Sequence, residues 1–538
     1  MSSTVQPGSE WWRRAVIHQV YIRSFADRNG DGIGDIAGIQ DRLPYLRDLG
    51  VDGIWINPWY ASPMVDAGYD VSDHRDVDPM FGTLADAEGL IAAAHGHGLR
   101  VIVDLVPNHT SDRHAWFQEA LAAAPDSAAR RRYHFHPGRG ADGAEPPNDW
   151  RSCFGGPAWT PVPGESGGWY LHLCAPQQPD LNWGNPEVRE EFLSIMRFWL
   201  ARGVDGFRVD VANGLAKAAG LPDVGYADLP LPAHEVARAW DVADHPHWDR
   251  EEVHDILRSW RARLQPGHPD MMFVAEAEMG DTEACMRYVR PDELHSTFNF
   301  AFLKVPWDAA ELRRVIDDTI RGCAAVGASP SWVLGNHDLP RVVSRYGGGE
   351  AGLRRARAAS ALMLALPGGA YIYQGDELGL EEVEHFRPEE RDDPIFARTG
   401  GAVPGRDGCR VPLPWSGEAP PFGFSPEGAP PPWLRQPAGW ARLTAERQAA
   451  DPGSTLSLHR HLLRLRRELT DLAGPDLRWL PGDDGVLHFA RGEGLRVLVN
   501  LGGADVALPA GARVLVRSDP RGRADGHVAP DQAVWYAL

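Results

Sequence analysis

The sequence predicts an α/β fold: a closed (β/α)8 TIM barrel, with a small domain inserted after strand 3 and an antiparallel β domain at the C-terminus. Three observations carry this. Eight short runs rich in β-formers alternate with helical stretches. The stretch after the third run is long and lacks periodicity. From about residue 476 the pattern changes to short alternating strands with glycine turns. A chain of 538 residues exceeds one compact core, and a barrel of roughly 250–400 residues with one or two smaller domains fits it.

The eight runs lie at residues 16–25, 53–57, 100–106, 206–211, 271–275, 297–302, 331–334 and 370–373. Most read as near-continuous Val/Ile-rich segments, as strands buried on both faces do. Helices are expected at 41–49, 84–97, 186–202, 251–264 and 456–472. The barrel is assigned to residues 1–107 and 177–472, the insertion to 108–176 and the C-terminal domain to 473–538. The insertion is rich in Gly, Pro, Trp and Asp. A second Pro/Gly-rich excursion at 400–437 is expected to be an ordered loop, because Trp415, Phe422, Phe424 and Trp433 give it something to bury.

The formal charge of −20 excludes nucleic acid and anionic membrane as main partners, since both require basic patches. A small neutral substrate needs no steering and is the expected partner, bound by a monomer or homodimer. Lys217 and Lys304 are the only lysines; the excess of arginine reads as composition bias. Five scattered cysteines with no C-x-x-C argue against a disulfide framework or a zinc site. Residues 1–10 are polar and no apolar run reaches about 18 residues, so a cytoplasmic setting is expected.

Charged residues fall where a barrel places its catalytic groups, at the C-terminal ends of strands. Asp104, Asn108 and His109 follow the third run, Arg208 and Asp210 end the fourth, Glu276 ends the fifth, and His337 and Asp338 follow the seventh. An apolar core would reject such groups unpaired. Arg208 and Asp210 are two apart on a strand and share a face. The guanidinium would keep Asp210 ionised, as a nucleophile requires. Apolar surroundings would raise the pKa of Glu276 and let it donate a proton. Carboxyls on adjacent strands, roughly 5–5.5 Å apart, have the spacing of retaining glycoside hydrolysis. Asp338, across the barrel, would bind sugar hydroxyls as charge develops on the ring. Glu278 shares the strand face of Glu276, which is preferred because it directly follows the apolar run. Any one of these residues is as well explained by an ion pair or a strand-end cap. Together, at four strand ends, they are not.

At these residues the chain resembles the α-amylase family of glycoside hydrolases, over nearly its whole length. DLVPNH, GFRVD, VAE and GNHD match the family's four signature segments in order, and GIWINP and GDELGL match segments on the second and eighth strands. The resemblance implies that Asp210 is the nucleophile, Glu276 the general acid/base and Asp338 the transition-state stabiliser. It implies that Arg208, His109 and His337 hold the glucose unit on the non-reducing side of the scissile bond. QPDLNW at 178–183 resembles the α-glucosidase and oligo-1,6-glucosidase branch, and YVRPDELHSTFNFAFLKVPW at 288–307 resembles bacterial intracellular α-glucosidases. An exo-acting retaining α-glucosidase is therefore implied. Asp70, beside Tyr69 in AGYDVSDH, matches a position that binds the terminal sugar, and Arg406 matches its partner, with Arg410 as the fallback. Such a pair would close the pocket behind one glucose. Val211 leans towards α-1,6 linkages in some relatives, yet the α-glucosidases resembled also carry Val. α-1,4 is named first; α-1,6 bonds, sucrose and transglycosylation stay open. A catalytically silent binding barrel is the distant alternative.

Asp27, Asn29, Asp31, the Ile33 carbonyl and Asp35 place oxygens at alternate positions, as in the first half of an EF-hand loop. The twelfth position is Gly38, not Glu, so the loop is not an EF-hand. Relatives carry one Ca2+ or Mg2+ at such a loop, which implies a structural ion, Ca2+ first. Phe154, Trp159 and Trp183 are candidates for lining the sugar pocket. His95, His97, His134 and His136 read as structural or surface residues.

Overall fold

In the computed structural model, which describes residues 10–229, 231, 235–238, 240–519 and 526–538, eight parallel strands make the central sheet. They are β1 (Val16–Val20), β2 (Gly53–Ile56), β3 (Arg100–Leu105), β4 (Gly206–Val209), β5 (Met272–Ala275), β6 (Ser296–Thr297), β7 (Ser331–Val333) and β8 (Gly369–Tyr373). Their hydrogen-bonded order is β6-β5-β4-β3-β2-β1-β8-β7. The Ser331 hydroxyl donates to the Thr297 carbonyl and links the two edge strands, β6 and β7. Ile17, Trp55, Ile102, Met272, Val274, Val333 and Tyr371 pack together as an apolar cluster contributed by β1, β2, β3, β5, β7 and β8. The opposite faces of the strands bury against the surrounding helices.

The sixth strand is shorter than the sequence predicts. Its ladder stops at Thr297, because the Asn299 side chain accepts from the Phe302 amide and starts the Phe300–Lys304 helix. The other helices begin for equally local reasons. Thr83 and Asp86 form a capping box on Leu84–Gly96, and Asn185 caps Pro186–Leu200, which has proline in its first turn.

Between β3 and β4 lies a three-stranded antiparallel sheet, with Gly168–Leu171 between Phe135–Pro137 and Trp159–Pro161. After the Thr455–Glu468 helix come β9 (Arg478–Trp479), β10 (Val486–Arg491), β11 (Leu495–Asn500), β12 (Arg513–Arg517) and β13 (Gln532–Ala537). They form an antiparallel sheet ordered β9-β10-β11-β13-β12. Trp535 donates its indole N–H to Ala361 (3.0 Å) and so pins this sheet to the Gly349–Ala365 helix. In the 400–437 excursion, Trp415 donates to the Phe25 carbonyl (2.6 Å) and Trp433 to that of Arg23 (3.0 Å). Both contacts hold the loop against the chain that follows β1. Among the described residues no helix is long and apolar enough to cross a membrane. The expectation for residues 1–9 lies outside the described residues.

Candidate active site

A cleft of about 350 Å³ is lined by residues from the C-terminal ends of the barrel strands. β4 and β5 are hydrogen-bonded neighbours with Val209 opposite Ala275, so the next residues, Asp210 and Glu276, emerge side by side. The Glu276 amide donates to the Val209 carbonyl (2.9 Å), and the Ala212 amide donates to the Glu276 carbonyl (2.9 Å). Arg208, buried beneath them, reaches both carboxylates: Nη1 lies 2.5 Å from Asp210 and Nη2 lies 2.8 Å from Glu276. The same Nη1 also binds Asp104 (2.7 Å), which accepts from the Trp55 indole as well (2.8 Å).

One cation therefore serves three carboxylates, Asp104 and Asp210 buried and Glu276 partly so, and it cannot hold all of them ionised equally. Burial pushes Glu276 up to about 8, against the pull of Arg208. Burial pushes Asp210 up to about 6, again with Arg208 opposing. Near neutral pH, Glu276 carries a proton and Asp210 is mostly charged, which suits an acid and a nucleophile.

Val211, directly after Asp210, adopts φ 46° and ψ 43°. This left-handed backbone is strained for a β-branched residue. Its amide donates to Glu276 Oε2 (3.1 Å), so the strained turn holds one of the acid's oxygens.

Asp338 faces this pair from the loop after β7. A Cβ at Gly335 would lie 2.5 Å from Asp376 Oδ2, so glycine leaves that carboxylate room beside the GNHD turn. Burial opposes charge on Asp338, but the Arg406 and Arg410 guanidiniums outweigh it and hold the carboxyl below its usual range. Burial also keeps His337 neutral. Its Nδ1 lies 2.8 Å from the Gln19 amide, and its Nε2 lies 2.9 Å from the Tyr69 hydroxyl. The Tyr69 ring stacks on His337 with centroids 5.4 Å apart. His109, kept neutral by burial, stands 3.2 Å from the Tyr69 carbonyl. Tyr69, His109, Phe154, Asp210, Glu276, His337, Asp338 and Arg406 all line the cleft.

Asp70 does not. Its carboxylate is fully buried and accepts from the amides of Val65 (2.9 Å) and Asp66 (3.0 Å). The carboxylate paired with Arg406 is Asp66 (2.8 Å). Asp70 thus shapes the turn that presents Asp66, because four residues separate the oxygen that ties the loop from the one that faces the cleft. Arg406 also binds Asp338 (3.2 Å), lies 5.1 Å from the Phe154 ring centre, and is fixed by Asp393 at Nε (2.6 Å). Arg410 touches Asp338 (3.0 Å) and the His337 carbonyl (2.8 Å), whereas Asp66 pairs with Arg406.

Trp159 and Trp183 do not line the cleft. Trp159 packs in the inserted segment, and Trp183 packs tilted against Phe192 and edge-on against Trp260 in the core. Glu278 stands at the cleft wall, tied to Lys304 (2.5 Å). Cys174 lines the same wall. Sequence reasoning missed Asp66 and Asp393, and missed that Gln178 bridges Asp66 and His109 (both 3.1 Å). QPDLNW signalled a branch of the family but not this bridge.

The loop at 27–35 is built from Asx turns. Asp27 accepts from the amides of Gly30 (2.6 Å) and Gly32 (2.8 Å), Asn29 from Asp31 (2.9 Å) and Asp31 from Ile33 (2.8 Å). Asp35 accepts from Arg28 and Asn29 (both 2.9 Å) and caps the next helix through Gly38 (2.6 Å). The donor types are hard oxygens, which suit Ca2+ or Mg2+. Among the described residues no three His, Cys, Asp or Glu side chains are grouped so as to hold an ion by themselves, so a site here would draw on Asn29 and the Ile33 carbonyl as well.

The family model "Alpha amylase, catalytic domain" matches residues 19–473. The chain belongs to the alpha-amylase family. It is 39% identical over 512 residues to a probable alpha-glucosidase of Rhizobium meliloti, covering 92% of this chain and 89% of the relative. It is 35% identical to an oligo-1,6-glucosidase of Heyndrickxia coagulans, covering 85% of each. The solved alpha-glucosyl transfer enzyme XgtA superposes with a TM-score of 0.86 at 36% identity, covering 98% of this chain and 99% of the other. The trehalulose synthase MutB of Pseudomonas mesoacidophila gives 0.85 at 32% identity, covering 99% and 100%. The protein is thus a glycoside hydrolase of this family, similar to an alpha-glucosidase and an oligo-1,6-glucosidase.

Proposed function

We propose that the protein is an exo-acting retaining α-glucosidase that releases glucose from the non-reducing end of maltose and other short α-glucosides. One observation carries this reading: the Arg208 guanidinium binds both Asp210 and Glu276 at neighbouring strand ends in one cleft. Asp210 would attack the anomeric carbon while Glu276 gives its proton to the departing oxygen. The C–O bond breaks and a glucosyl ester with Asp210 forms. Glu276, now a carboxylate, would take a proton from water as the water displaces Asp210. Two inversions return the original anomer. His109, His337, Arg208 and Asp338 would hold the glucose unit, and the Asp66–Arg406 pair would wall off the space behind it.

A second reading is favoured by the structural neighbours: transfer of the glucosyl group to a sugar hydroxyl instead of water. XgtA is named an alpha-glucosyl transfer enzyme and MutB a trehalulose synthase. Rates on maltose, isomaltose, sucrose, trehalose and maltotriose, with products followed by NMR, separate these readings. First release of α-glucose from maltose supports retention. First release of β-glucose, or activity that survives Asp210→Asn, overturns the mechanism. A structural cation at 27–35 is part of the same proposal and takes no step in the chemistry. Its support is the run of oxygen donors on this loop.

A further inference from the structure

A second concavity lies far from the cleft, between the Leu43–Leu49 helix and the Thr455–Glu468 helix. It encloses about 700 Å³. The chain leaving Leu49 runs directly into the first residue of β2, so this groove sits at the N-terminal end of the strands, opposite the catalytic end. Arg47, Arg460, His461, Arg464 and Arg467 stand in its walls, against the carboxylates of Asp48 and Glu468.

The arrangement is unfavourable by itself. Residues 460, 464 and 467 follow the three- and four-residue spacing of one helix face, where like charges repel. Arg47 is offset by Asp48 (2.8 Å) and Arg467 by Asp52 (3.0 Å). Arg460 and Arg464 make no ion pair among the described residues, and the Nε of Arg460 is buried without a hydrogen-bond partner. Arg460 is steadied instead against the Tyr45 ring, 5.9 Å from its centre. Burial and the Arg464 charge both push the pKa of His461 down. Composition bias accounts for arginine in place of lysine, but not for a concave cluster of guanidiniums on a chain of net charge −20.

We propose that this groove binds a small multivalent oxyanion of the phosphate type, held by the Arg460 and Arg464 guanidiniums with His461 beside them. Guanidinium forks match phosphate oxygens in pairs. An anion here would pair with the guanidiniums that face the groove and relieve the repulsion along the helix face.

The test uses the full chain and inorganic pyrophosphate, with calorimetry and an NMR pH titration of the His461 ring. Pyrophosphate is expected to bind and to raise the His461 pKa, since a nearby anion favours the protonated ring. Arg464→Gln alone, at an exposed position, should weaken binding, and Arg460→Gln with Arg464→Gln should weaken it about tenfold or more. Turnover of 4-nitrophenyl α-glucoside should be unchanged in both variants. A His461 shift reproduced by NaCl at equal ionic strength would overturn the proposal. So would binding undiminished in the double variant, or binding seen only with a polymeric anion or an anionic vesicle.

Discussion

In the cleft, Asp104, Asp210 and Glu276, brought together from distant parts of the chain, lean on one guanidinium; in the loop at 27–35, carboxylates that are neighbours in sequence lean on backbone amides. The two regions look alike when acidic residues are counted, yet their physics differs. Amide donors fix a turn and hold each carboxylate in a single role. A shared cation leaves the carboxylates in competition, and burial then sets them apart, with Glu276 near 8 and Asp210 near 6. A pair of acids with separated proton affinities can move a proton. A ring of satisfied Asx turns can hold a chain, or a cation.

The comparison breaks most sharply at Asp210. Asp210→Asn should lower kcat/KM on maltose by on the order of 10⁴-fold or more. Glu276→Gln should cost about 10²–10⁴-fold on maltose, and much less on 4-nitrophenyl α-glucoside, whose leaving group needs no proton. Equal losses on both substrates would remove Glu276 as the acid.

The shared cation comes next. Arg208→Met leaves the buried Asp104 and Asp210 carboxylates without it and should cost about 3–5 kcal/mol at pH 7. The penalty should shrink towards pH 5, where the carboxyls bind protons. Urea unfolding at both pH values measures it, and a pH-independent penalty would argue for lost packing instead.

Proton affinity itself gives a subtler test. The folded-state pKa values of Asp210 and Glu276 are raised by burial. Their contribution to stability is therefore present at low pH and lost as pH rises through about 6 and about 8. The wild-type melting temperature should drift down between about pH 4 and about 8, and Glu276→Gln should flatten the part between about 6 and about 8. Activity should peak between the same two values.

The Asp66/Asp70 exchange sharpens the contrast between a carboxylate that faces ligand and one that ties backbone. Asp66→Asn should raise KM roughly tenfold with little change in melting. Asp70→Asn should cost about 1–3 kcal/mol of stability, because its oxygens hold two amides. The reverse pattern would restore Asp70 to the pocket. The smallest effect belongs to the loop: a chelator should lower the melting temperature by only a degree or two, since the amides already brace it. No shift would argue against a bound cation, and a collapse would show that the amides are not enough.

The barrel was legible because its strands are buried on both faces and read as uninterrupted apolar runs. Strand six was not, because Phe300 and Phe302 look like strand residues until the Asn299 cap turns them into a helix. The carboxylates at strand ends were legible because they stop apolar runs. Asp66 was hidden because it and Asp70 occupy one short loop, and which of them accepts backbone N–H groups depends on how that loop folds back. Aromatic residues carried the least information, since Trp159 and Trp183 serve packing as readily as a sugar face.

Val211 gives the cleft a cost that selection for sturdiness would remove. A glycine there would accept the same backbone angles without steric objection, and the folded chain should resist heat at least as well. It would also let the peptide wander, and with it the N–H that faces the acid. Durability and turnover are set against each other at that single peptide, and a longer-lived but slower enzyme is one substitution away.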